Sequence, residues 1–205
     1  VPLVAEPFSL TPRAADLDFV RQLPELASLP PGRPRLLVHP GSRSAYRIWP
    51  AEAFAEVCDR LQTEGLANVI LVAGPAEQKI VDTIRQHMQT PAVCLQQTLT
   101  VPKFAALFAS VDLFLCHDSG PMHLAAAVGT RVVALYGSQN LANWRPLGAH
   151  HTMLQPPLPC VNCVSPGSCQ PEDSYFNHCV RNITVPDVLA AVHGQLRTAS
   201  SPRSM

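Results

Sequence analysis

An aspartate, a serine, a glycine and a histidine are packed into Asp118-Ser119-Gly120-Pro121-Met122-His123. An apolar run, Val111-Asp112-Leu113-Phe114-Leu115-Cys116, leads into them, and Leu124-Ala125-Ala126-Ala127-Val128 leads away. Beyond Gly129 a second apolar run, Val132-Val133-Ala134-Leu135-Tyr136, begins. The pattern predicts a strand, a polar turn, a helix over 122–128 and a strand, which is one βαβ unit. Its polar turn falls at the carboxyl end of the first strand, the edge where open α/β sheets bind ligands. Amides at the start of the helix, with the helix dipole behind them, suit an anion. The chemistry expected is therefore phosphate binding beside a carboxylate and an imidazole. Asp118 also reads as a plain helix cap, and His123 as a core histidine. Their coincidence around Ser-Gly at a strand end favours a ligand site.

Two more polar loops follow apolar runs. The first, His39 to Arg47, offers Gly41, Ser42, Arg43 and Arg47; glycine and serine allow close backbone approach to phosphate, and an arginine can add a bidentate contact. Alone, such a loop is more simply a solvated turn. The second, Gly74 to Gln78, sets Glu77 at a helix start. That carboxylate reads either as a helix-dipole partner or as an acceptor for a ribose diol.

The elements that must position these loops alternate. Strands are expected at 35–39, 68–73 and 92–95, besides those already named. Helices are expected from about Pro50 through Leu61, with Phe54, Val57, Cys58 and Leu61 on one face, and at 77–87, 101–110 and 185–196. Such alternation predicts an α/β fold: a Rossmann-like parallel sheet with helices on both faces. Residues 1–34, with seven prolines and one helical segment around 14–29, read as a linker and packing helix. Residues 35–197 read as the domain, 138–182 as an irregular Cys-rich excursion within it, and 198–205 as a flexible tail.

Composition narrows the function classes. Of 205 residues 47% are hydrophobic and 15% charged, so the chain is globular. Fifteen basic residues balance fifteen acidic ones, which argues against broad electrostatic capture of nucleic acid. No apolar stretch approaches the roughly 20 residues of a membrane span. Cys160-x2-Cys163-x5-Cys169-x9-Cys179 suits tetrahedral thiolate ligation of a structural zinc or iron. A reduced, metal-free loop and an oxidised one are the alternatives. Cys58, Cys94 and Cys116 read as buried free thiols.

Taken together, the motifs resemble glycosyltransferase family 9, the bacterial lipopolysaccharide heptosyltransferases. The matching residues are His39-Pro40-Gly41-Ser42, Arg47-Ile48-Trp49-Pro50, Ala73-Gly74-Pro75-Ala76-Glu77, the 118–127 stretch and Ala134-Leu135-Tyr136-Gly137. The resemblance runs from about Arg35 to Leu196. It implies one half of a GT-B glycosyltransferase, the half that binds a nucleotide-sugar donor, usually ADP-heptose. It implies that Ser42 and Arg47 contact the donor diphosphate, Arg47 standing where the family often has lysine. Glu77 would lie near the ribose, Leu99 near the adenine, and Asp118 against the sugar hydroxyls. Ser119, Gly120 and His123 would form the phosphate-facing turn.

Family members are longer, and their amino-terminal domain binds the acceptor and carries the aspartate proposed as general base. No catalytic base is therefore expected in this chain, which would be inactive in isolation. The implied partners are ADP-heptose and, through the missing domain, a lipopolysaccharide core acceptor. No cofactor is expected to be required for transfer, since Arg47 and helix-end amides can stabilise the leaving diphosphate. No Asp-x-Asp stands at a strand end, where other glycosyltransferases hold a divalent ion. The implied setting is the cytoplasm, at the inner face of the bacterial inner membrane, with at most peripheral membrane association. A non-catalytic nucleotide-sugar-binding module and a GT-B-like sugar-nucleotide epimerase are the competing readings.

Overall fold

Strands buried on both faces must be apolar at nearly every position, and the Val-, Leu- and Ile-rich runs become such strands. A computed structural model describes residues 9–43, 47–95, 97–157 and 179–199. Helices α1 (Ala14–Arg21) and α2 (Pro24–Ala27) precede β1 (Arg35–His39) and α3 (Ala51–Thr63). Next come β2 (Asn68–Val72), a 3-10 turn at Pro75–Glu77, α4 (Gln78–His87), β3 (Val93–Leu95) and α5 (Val101–Ala109). They are followed by β4 (Leu113–His117), α6 (Gly120–Ala127), β5 (Arg131–Leu135), α7 (Leu141–Trp144) and β6 (Thr152–Leu154). A second 3-10 turn (Cys179–Asn182) and α8 (Val185–Ala199) end the described chain.

The six strands are all parallel, in the order β3-β2-β1-β4-β5-β6. The chain thus builds outward from β1 in one direction, then returns to β4 and builds outward in the other. β1 and β4 are neighbours, with His39 opposite Cys116, so the loops leaving their carboxyl ends flank the point where the winding reverses. Crevices at such switch points are where open sheets bind ligands.

Alternate residues of each strand feed two cores. Leu36, Val38, Leu113 and Leu115 pack under α3, α4 and α8, against Phe54, Val57, Ile84 and Val192. Leu37, Ile70, Phe114 and Val132 face the other side, against Val20 of α1, Leu26 of α2, Phe108 of α5 and Met122 of α6. Gly129 (φ +82°) ends the α6 turn in a left-handed conformation that favours glycine.

Several boundaries differ from the sequence reading. The helical segment near 14–29 is two helices, because Pro24 has no N–H and holds Leu23 extended before it. The fourth strand starts at Leu113, two residues later than its apolar run. Asp112 there accepts the Arg35 N–H at 2.8 Å and donates its own N–H to the Arg35 carbonyl. Three short elements, α7, β6 and the second 3-10 turn, lie inside 138–182. Three or four residues are too few to show a periodicity. Among the described residues, no helix is long and apolar enough to cross a membrane.

Phe114 is fully buried at the sheet centre, edge-on to Phe108 with ring centroids 4.7 Å apart. Phe114→Ala should cost about 3–5 kcal/mol of unfolding free energy, read from the shift of the denaturation midpoint at unchanged slope.

Candidate functional site

β1 ends in His39, whose imidazole is only 6% exposed. Its Nε2–H donates to Glu77 Oε2 at 3.1 Å. The same Oε2 accepts the Gly74 N–H at 3.1 Å, so Glu77 folds back over its own 3-10 turn. The hydrogen bond from His39 holds the Glu77 carboxyl below its usual range, against the opposing effect of burial. Gly41 lies directly against this carboxylate. A Cβ there would come within 2.1 Å of Glu77 Oε1. The sequence reading has Gly41 suiting close approach to phosphate; Gly41 lines the cleft and also permits the close approach of Glu77.

β4 ends in His117, which is fully buried. The Trp49 N–H donates to its Nε2 at 2.9 Å. A backbone N–H can only donate, so Nε2 must be the lone-pair nitrogen and the proton sits on Nδ1. Nδ1–H then donates to the Gly41 carbonyl at 3.2 Å. Phe54 packs edge-on to the ring at 5.5 Å. Burial pushes the His117 pKa down to about 4, the Gly41 hydrogen bond opposing it. His117 is thus a neutral strut joining the β4 end, the loop after β1 and the start of α3.

Asp118 follows. Burial raises its pKa, while Arg47 and His123 act to lower it. Arg47 Nη1 stands 3.8 Å from Asp118 Oδ2, longer than the usual charge-assisted hydrogen bond. Ser119 occupies the cap position of α6, yet its hydroxyl makes no capping bond. Its Oγ is buried without a hydrogen-bond partner. Pro121 has no N–H and the Met122 N–H goes to the Ser119 carbonyl at 3.1 Å, so the Ser119 hydroxyl and the Gly120 N–H are the groups this turn can offer an anion.

These loops enclose one cleft of about 670 Å³. Ser42, Arg47, Glu77, Asp118, Ser119, Gly120 and His123, all singled out from the sequence, line it together. Leu99 does not. It lines an adjoining recess of about 80 Å³ with Val72 and Phe104, and His39 walls both spaces. The cleft also takes Arg43, Gln139 and Trp144. Arg43 was legible as part of the Gly-Ser-Arg loop. Gln139 and Trp144 were not, since they fall in the stretch read as irregular. His117 carried one signal, its place immediately before Asp118.

Of the four-cysteine group, Cys160, Cys163 and Cys169 lie outside the described residues. Cys179 is a buried free thiol whose Sγ would be 2.7 Å from a Cβ at Gly137. Among the described residues no group of three or more His, Cys, Asp or Glu side chains is arranged to hold a metal ion. The Asp16-Leu17-Asp18 pair is on α1, where Asp16 takes Arg13 and Asp18 takes Arg21, each at 2.8 Å.

Comparison with known proteins fits this arrangement. The model of glycosyltransferase family 9 (heptosyltransferase) matches residues 9–172. The chain belongs to glycosyltransferase family 9. Lipopolysaccharide heptosyltransferase 3 of Escherichia coli is 35% identical over 118 residues, 56% of this chain and 34% of that protein. The chain therefore spans about a third of the length of this curated relative. Two solved structures share the fold at 22% identity. A glycosyltransferase family 9 protein of Veillonella parvula has a TM-score of 0.78, covering 93% of this chain and 54% of its own. ADP-heptose lipopolysaccharide heptosyltransferase II of E. coli has a TM-score of 0.74, covering 94% and 54%. Both share the α/β fold of this chain over about half of their own length.

The His117 strut has a pH signature. Its folded pKa is depressed from 6.5 to about 4, so the unfolded chain binds the proton first. Its contribution is complete above pH 6.5 and drains away as the pH falls towards 4, a loss of about 3 kcal/mol. The depressed Glu77 acts in a separate window, below its ordinary value of 4.5. Denaturant titrations at several pH values should show His117→Asn losing about one proton from the slope between pH 6.5 and 4.5. An unchanged slope would mean that His117 is not the titrating group.

Proposed function

We propose that the cleft binds a nucleoside-diphosphate sugar, ADP-heptose, and that the chain is the donor-binding part of an inverting heptosyltransferase. The observation carrying this reading is the turn at Ser119-Gly120. The buried, unpartnered Ser119 hydroxyl and the glycine after it line a cleft that also holds Ser42, Arg43 and Arg47. Hydroxyls, guanidinium groups and a glycine turn converging on one space match a diphosphate, whose two phosphates need several donors at once. Glu77 is the carboxylate for the ribose hydroxyls, Leu99 and its recess take the base, and Asp118 meets the sugar hydroxyls.

The reaction is a displacement at the anomeric carbon. An acceptor hydroxyl forms the new C–O bond on the face opposite the diphosphate. The bond to the β-phosphate oxygen breaks, and its electron pair leaves with that oxygen. Arg47 and the Ser119-Gly120 turn meet the charge that develops there, which is where preorganised donors accelerate reactions most. The acceptor proton passes to a base that we assign to an acceptor-binding half of the protein, together with the lipopolysaccharide core acceptor. Such an acceptor would be met at the cytoplasmic face of the inner membrane.

Calorimetric titration with ADP, UDP and GDP tests the donor site directly. ADP should bind, and Arg47→Ala should weaken it about tenfold or more, the loss expected for a charged hydrogen bond. In the full-length enzyme Asp118→Ala should cut turnover severely with the fold intact. Absence of binding by all three nucleotides would sink the proposal.

A further inference from the structure

We infer that Trp144 is the platform for the glycosyl unit of the donor, its indole taking the C–H face of the sugar ring. The inference rests on the donor reading above and adds the residue that separates a sugar nucleotide from a bare nucleotide.

Trp144 is an aromatic side chain that the fold leaves 53% exposed, and it lines the same cleft as Asp118 and Ser119. A lone exposed hydrophobic residue calls for no explanation. Here, though, the loop that carries it is anchored at several points. The hydroxyl of Tyr136, itself fully buried, donates to the Trp144 carbonyl at 2.8 Å. Burial raises the Tyr136 pKa, keeping it a donor. Gln155 Nε2 donates to the carbonyls of Gly137 at 2.8 Å and Gln139 at 2.7 Å. Asn140 Oδ1 accepts the Ala142 N–H at 2.9 Å, capping α7. The loop backbone is fixed from both sides of the cleft wall, while the indole at its end stays open to the cleft. Rigid aromatic surface of this kind binds at low entropic cost.

The sheet order says which part of the donor meets it. The ribose carboxylate, Glu77, follows β2, and the base recess is built from the ends of β1 and β2 with the loop before α5. The diphosphate loops follow β1 and β4. Trp144 follows β5, on the opposite side of the crevice from Glu77. From β2 to β5 is three strand spacings, about 14 Å, of the order of the span from a nucleoside to the glycosyl ring of its diphosphate sugar. A donor laid along the sheet edge with its nucleoside over β2 therefore carries its sugar to the β5 side. Asp118 and Gln139 then face hydroxyls on the ring edge, and the indole covers the apolar face. Burying that face against an indole gains hydrophobic free energy that ADP alone does not collect.

The chain's two tryptophans make the test direct, because Trp49 is buried and Trp144 is not. ADP and ADP-heptose are titrated separately into the unaltered chain, Trp144→Ala and Trp144→Phe, with affinity and tryptophan emission both recorded. Trp144→Ala should weaken ADP-heptose about tenfold while leaving ADP within about twofold. Trp144→Phe should recover most of that loss. ADP-heptose should shift the emission of the unaltered chain, ADP should not, and the shift should vanish in Trp144→Phe. Equal ADP-heptose affinity in the unaltered chain and Trp144→Ala overturns this inference while leaving the nucleotide site standing. Failure of ADP itself to bind the unaltered chain overturns the donor reading and takes this inference with it.

Discussion

Two hydrogen bonds made by one neutral imidazole hold the ligand edge of this domain together. His117 accepts from Trp49 and donates to Gly41, so a side chain at the end of β4 dictates where the loop after β1 and the first turn of α3 must lie. Parallel strands alone would not do this, because ladder bonds stop at the last paired residue and leave the loops beyond to their own conformational entropy. The strut works only when uncharged. A protonated ring would turn its Nε2 donor towards the Trp49 N–H, and two donors cannot share a hydrogen bond. Burial supplies the condition by keeping the ring neutral at ordinary pH. Trp49 carries the constraint further, since its Nε1–H donates to the Ile183 carbonyl at 2.9 Å, just ahead of α8.

A second constraint depends on the first. With Gly41 held in place, Glu77 can press its carboxylate against a residue that has no side chain and accept a hydrogen bond from the His39 Nε2–H. The two histidines end adjacent parallel strands, and each ties a neighbouring loop to the switch point. Ser42 on one loop and Ser119 on the other, both lining the cleft, are thereby fixed relative to each other. Preorganisation of this kind reduces the ordering cost that binding would otherwise pay.

Much of this was legible in the sequence for one physical reason. Parallel strands buried on both faces need unbroken apolar runs, so β1, β2, β4 and β5 announce themselves, and polar residues at their ends stand out against them. Asp118, Ser119, Glu77 and Arg47 were found on that contrast. Gly41 was found too, but its contact with Glu77 was not, because a sequence shows that a glycine is needed without showing what presses on it. His117 was read as the first residue of the polar turn, and its part as a strut was hidden because both its partners, Trp49 and Gly41, are distant in sequence. Trp144 and Gln139 were hidden because α7 and β6 are too short for any periodicity, and their placement comes from Tyr136 and Gln155, contacts made across the fold. Leu99 was drawn towards the site by resemblance, and the structure sets it in a side recess beyond His39.

The charges in the cleft show why its ion pair is long. Arg13 and Asp16 meet at 2.8 Å, whereas Arg47 and Asp118 stand 3.8 Å apart; the two carboxylates are similarly sheltered, and Arg47 is the more sheltered arginine. A tight sheltered pair would be costly to break, and a guanidinium locked into one would be lost to an incoming phosphate. At 3.8 Å the pair keeps Arg47 near the turn and tempers the cost of burying Asp118. On the donor reading proposed above, a diphosphate arriving between Ser42 and Ser119 would offer Arg47 more negative charge than one carboxylate does. Asp118 would bring acceptor capacity that sugar hydroxyls can satisfy, so the phosphate and sugar ends of such a donor would meet at this one pair.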